Sequence, residues 1–178
     1  MIREHFGKLP NIETSDILKS SMKLYNQERD WTCCIACLRT ITSNIDYLGS
    51  EDIIINQYNF TPGPYYSKDI KERQLLLNYN VIYGCDIIEK TPELLCKLLK
   101  DYNIMIETML NYDHWLVILG YFTNNSTQIN KHQILLYDPY FNKVRLENAE
   151  EIFSMWVSGE HIKNNIKNDF IAVRGRTV

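Results

Sequence analysis

Several signals are missing from these 178 residues, and each absence removes a class of function. Lysine and arginine number 19 against 22 aspartate and glutamate, for a net charge of −3. No basic footprint for nucleic acid and no acidic tail follows from that balance. No apolar run is long enough to span a bilayer. The longest, Trp115 to Phe122, suits a buried strand instead. Met1 to Lys8 has no apolar core of a secretory signal, so a cytoplasmic chain without a membrane span is expected. Gly/Ser linkers, low-complexity tracts and internal repeats are absent as well, and the length fits one domain over 1–178. Residues 1–11 read as a loosely packed arm.

Cysteine is present but unevenly spread. Five residues are an odd number, and three crowd into Cys33, Cys34 and Cys37. Neighbouring cysteines on one helix make a poor disulfide framework, so free thiols are expected. Cys34-Ile35-Ala36-Cys37 has C-x-x-C spacing. A redox pair needs a preceding βαβ strand, and a zinc site needs a second ligand pair. His132 and His161 are too scattered to supply one. No metal and no cofactor is therefore expected.

What is present reads as helices first and strands second. Ile17, Leu18, Met22 and Tyr25 predict an amphipathic helix over Ser15–Tyr25. Ile35, Leu38, Ile41, Thr42 and Ile45 predict a second over Cys33–Ile45, with Thr32 as its N-cap. Ser50 opens a third, which Thr61-Pro62-Gly63-Pro64 ends, and a fourth is predicted over Ser67–Tyr79. Val81 to Gly84 reads as a short strand. Thr91-Pro92-Glu93 is a strong helix start. Ile104–Met109, His114–Phe122, Gln133–Tyr137 and Lys143–Leu146 then read as strands, with Thr123–Lys131 as a hairpin loop. Asn148 with Glu151 predicts a capped helix through Trp156, and Asp169–Arg174 a last strand. The order predicts an α+β fold, its N-terminal helical half packed on a C-terminal antiparallel sheet.

The chemistry gathers at a few positions. Cys33 falls where a loop becomes a helix, and a helix N-terminus favours the anionic form of a thiol. Cys34, one step further in, is an alternative nucleophile. Gln27 lies six residues upstream and can give a side-chain N–H to an oxyanion, beside the backbone N–H of Cys33. His114 heads one apolar strand and Asp138 ends the next. If those strands pair, the carboxylate can orient an imidazole that serves the thiol. By itself, a histidine beside a tryptophan is more often a packed core group, and an Asp-Pro at a strand end is commonly turn chemistry.

Together these residues resemble the papain-like C39 peptidases, which include the leader-cleaving domains of bacteriocin-exporting transporters and stand-alone relatives. Gln27, Cys33, Ala36, Cys37 and Leu38 match the family's first motif; His114 to Tyr121 and Asp138-Pro139 match its later islands. Cys34 departs from it, standing where the family has glycine. Gln27, Trp31, Cys33, Ala36 and Cys37 are also similar to the motif of the guanylyl-cyclase-like family. That likeness implies nucleotide chemistry, although no phosphate-cradling glycine loop or paired metal carboxylates accompany it.

The C39 resemblance implies a papain-like cysteine protease fold and a hydrolase that cuts a peptide or amide bond through a thioester. Its catalytic residues would be Cys33, His114 and Asp138 with Gln27, and its partner a peptide or protein substrate. The same four groups would serve an acyltransferase or a protein glutamine deamidase. A catalytically silent binding module on that fold is a further alternative. Oligomeric state leaves no trace in the sequence.

Overall fold

The computed structural model describes residues 16–109, 113–157 and 168–175. The expected arm at residues 1–11 lies outside them. In chain order the elements are β1 (Ile17–Leu18), α1 (Cys33–Thr42), α2 (Glu51–Tyr58), α3 (Ser67–Glu72), β2 (Asn80–Tyr83), α4 (Pro92–Leu99), β3 (Asn103–Met109), β4 (Asp113–Phe122), β5 (Gln133–Asp138), β6 (Lys143–Asn148), α5 (Ala149–Val157) and β7 (Phe170–Arg174). The strands form an antiparallel sheet in the order β2-β7-β3-β4-β5-β6, and β1 pairs with β4 off that path.

The sheet separates two cores, and residue parity decides which face each side chain joins. Met105, Trp115, Val117, Leu135, Tyr137, Ile171 and Val173 pack with Ile35, Cys37, Leu38 and Ile41 of α1. Ile104, Ile106, Leu116, Ile118, Ile134, Leu136 and Phe170 pack on the other face. There they meet Leu95 and Leu99 of α4, and Ile152, Phe153 and Trp156 of α5. α1 is buried almost all round, so its N-terminus is held against the sheet rather than in open solvent. No helix among the described residues is long and apolar enough to cross a membrane.

Three expected helices come out differently. In the described part of Ser15–Tyr25, Ile17 and Leu18 form a two-residue strand against Tyr121 and Gly120. About three turns of helix are marginal by themselves. Pairing with a buried strand satisfies the backbone better, and Met22 still reaches the α1 core. The helix expected over Ser67–Tyr79 stops at Glu72, because Gln74 takes a left-handed φ of 57°. Leu75 and Leu76 then turn inward while Leu77 stays exposed. α1 ends at Thr42 rather than Ile45, where the Ser43 hydroxyl bonds back to the Thr40 carbonyl.

The expected starts of α2 and α4 match the structure. Ser50 and Thr91 accept from the N–H groups of Ile53 and Leu94. Asn148 likewise accepts from Glu150 and Glu151 at the head of α5.

Candidate active site

The N-terminus of α1 has no side-chain cap, and its first turn carries no acidic residue. Thr32 does not cap it as expected. Its hydroxyl instead donates to the Arg29 carbonyl at 2.9 Å and accepts from the Arg29 N–H at 3.1 Å. Thr32 therefore closes the preceding loop and leaves the helix N–H groups free of a side-chain acceptor. Cys33 stands at that end, half-buried. Cys34 and Cys37 point into the core, and burial pushes both thiols well up. The Cys37 thiol donates to the Trp115 carbonyl at 3.3 Å.

His114 is 3% exposed and Asp138 is wholly buried. The pairing of β4 with β5 aligns Val117 with Tyr137, which brings the start of one strand to the end of the other. His114 Nε2 then lies 2.8 Å from Asp138 Oδ1. That carboxylate also accepts from the Tyr140 N–H at 3.0 Å and from Arg145 at 3.2 Å. With Nε2 engaged, Nδ1 is left for the thiol, and Cys33 hydrogen-bonds to the ring. Burial pulls the His114 value down. The hydrogen bond to Asp138, the hydrogen bond to Cys33 and the negative charge on both outweigh it, and raise the value from 6.5 to about 9. For Asp138, burial pushes upward, but the hydrogen bond and charge of His114 hold it below its ordinary range.

Gln27 reaches the same place from the loop before α1. Its N–H donates to the Pro139 carbonyl at 3.1 Å, tying it to the turn that follows Asp138. Its Nε2 donates to the Arg29 carbonyl at 2.9 Å. An amide nitrogen carries two hydrogens, so that bond leaves the second one over.

A cavity of about 280 Å³ opens on this group, lined among others by Gln27, Trp31, Cys33, Tyr65, His114 and Tyr140. The Trp115 indole donates to the Tyr65 carbonyl at 2.7 Å and fixes the wall formed by the loop ahead of α3. Tyr140 meets the His114 ring edge-on, with centroids 6.5 Å apart.

Two carboxylic acids that support this arrangement were not singled out from the sequence. Glu51, wholly buried, accepts from the Glu28 N–H at 3.0 Å and so anchors the loop that carries Gln27. As the first residue of α2 it reads merely as a helix-start acid. Glu107, 6% exposed, lies on β3 opposite Trp115. A charged residue in a run as apolar as Ile104–Met109 was the available signal.

Neither the scan of family models nor the search of curated proteins finds a match to this chain. Among solved structures it is similar to the peptidase domain of Streptococcus ComA, a bi-functional ABC transporter involved in a quorum sensing pathway. The two share a TM-score of 0.56 and 16% identity, over 86% of this chain and 98% of that one. Identity that low speaks to the fold: a mixed helix and antiparallel-sheet structure of the papain-like C39 peptidase type.

Proposed function

We propose that the chain is a cysteine hydrolase acting on a peptide or amide bond. The observation that carries this reading is the hydrogen-bonded series Asp138–His114–Cys33, at an uncapped helix N-terminus and open to a cavity. The Cys33 thiolate attacks the carbonyl carbon while the imidazolium of His114 holds the proton. The oxyanion that forms takes the backbone N–H of Cys33 and the second N–H of Gln27 Nε2. His114 then gives its proton to the departing amine, and a thioester to Cys33 remains. Water attacks that thioester as His114 takes a proton back, releasing the acid and the thiol. Asp138 stays ionised and holds the ring's orientation throughout.

Cys34 is a poor alternative nucleophile, since its burial favours the neutral thiol. Transfer of the acyl group to another acceptor would run through the same thioester, and the mass of the product separates it from hydrolysis. The test is turnover of a peptide library by the wild-type chain and by Cys33→Ala and Cys34→Ala. Turnover lost in the first variant and kept in the second is expected. Retention by Cys33→Ala would remove the assigned nucleophile.

A further inference from the structure

One wall of the cavity carries Asp113, immediately before His114. Its position is built rather than incidental. The Tyr66 hydroxyl donates to Asp113 Oδ2 at 2.8 Å. Behind it lies Glu107, joined to Asp113 by a side-chain hydrogen bond. The strand register explains the meeting. Glu107 faces Trp115 and Met109 faces Asp113, so the two acids are diagonal neighbours on one face of an antiparallel pair.

Two carboxyl groups hydrogen-bond to each other only if one of them holds a proton. Glu107 is the holder. Burial raises it first, followed by the hydrogen bond and charge of Asp113 and the charges of Asp169 and Cys33, up to about 9. Asp113 is the member of the pair that reaches the cavity. Asp30 lines the same cavity from the loop before α1. Trp31 and Tyr140 also line the cavity, and aromatic faces attract cations.

We propose that Asp113 sets the substrate preference of this cleft: its carboxylate, fixed from behind by Tyr66 and Glu107, takes a cationic group of the substrate, a lysine or arginine side chain or a free amine. This inference rests on the reading of Cys33 as the nucleophile, and its test separates the two. The full chain is treated with a trimethylammonium-bearing methanethiosulfonate, an uncharged one and a sulfonate-bearing one. The labelling rate is read at the Cys33 peptide by mass spectrometry.

The cation-to-anion rate ratio at Cys33 is expected to exceed that of Asp113→Asn by about tenfold, the scale of one charge a few ångströms from the reagent. In the wild type it should also shrink as salt rises from about 0.02 M to about 0.5 M, a test that needs no variant. Fast labelling of Cys33 with a ratio indifferent to Asp113→Asn or to salt overturns the cation preference and leaves the nucleophile in place. Labelling of Cys33 no faster than that of the other cysteines, with every reagent, overturns both.

Discussion

Replacing Asp138 by Asn tests whether the carboxylate acts by charge or by shape. The asparagine oxygen can still accept from His114 Nε2 and from the Tyr140 N–H, so the geometry is kept while the charge is lost. The rise of His114 from 6.5 to about 9 is equivalent to about 3 kcal/mol of preference for the imidazolium. If Asp138 supplies about half of it, the variant's value falls by a little more than one pH unit.

At pH 6 both proteins hold the imidazolium, and their rates should be similar. Near pH 8.5 the charged fraction drops about fivefold in the variant, and kcat/KM should drop with it. Stability follows the same sign. A raised histidine stabilises the fold fully below 6.5, and that contribution is lost as pH rises through about 9. Urea unfolding of the wild type should therefore lose up to about 3 kcal/mol across that window, and the variant about half as much. Parallel pH profiles for the two proteins, in rate and in stability, would refute the reasoning.

Other expectations follow from neighbouring contacts. Gln27→Ala removes one oxyanion donor and should lower kcat about a hundredfold with little change in KM, measured at substrate saturation. Glu51→Ala leaves the Glu28 N–H without its acceptor. It should cost about 1–3 kcal/mol in urea unfolding and reduce kcat further by loosening the Gln27 loop; Glu51→Gln should restore most of both. Gly84→Ala would put a Cβ 2.7 Å from the Phe170 backbone nitrogen and 2.5 Å from Asp169 Oδ1. Asp169 ties α3 to β7 through the N–H groups of Ser67 and Phe170, so thermal unfolding should show a loss of about 1–3 kcal/mol or more.

The strands and the best-capped helices were legible because their signals are local. The continuous apolar run Trp115–Phe122 and the Thr91-Pro92-Glu93 start need no partner to be recognised. The misread helices fail where long-range contacts decide. Ile17 and Leu18 form a strand only because Gly120 and Tyr121 offer an edge, and Gln74 takes a left-handed turn with no glycine to announce it. Cys33, Gln27, His114 and Asp138 could be selected as candidates because their residue types and positions suggested a shared chemistry. Glu51 could not, since a buried glutamate and an exposed one look alike until the fold closes over one of them, and Glu107 was marked only by being a charge within the apolar run Ile104–Met109.

The most direct test of the central claim compares iodoacetamide alkylation of all five cysteines near neutral pH, mapped by mass spectrometry, in the wild type and in His114→Ala. The account predicts that Cys33 reacts well ahead of Cys34, Cys37, Cys85 and Cys96, and that the substitution slows it about tenfold or more while leaving the others unchanged. A Cys33 that reacts no faster than its neighbours, or that is indifferent to His114, would contradict the claim and leave a binding module on a peptidase fold.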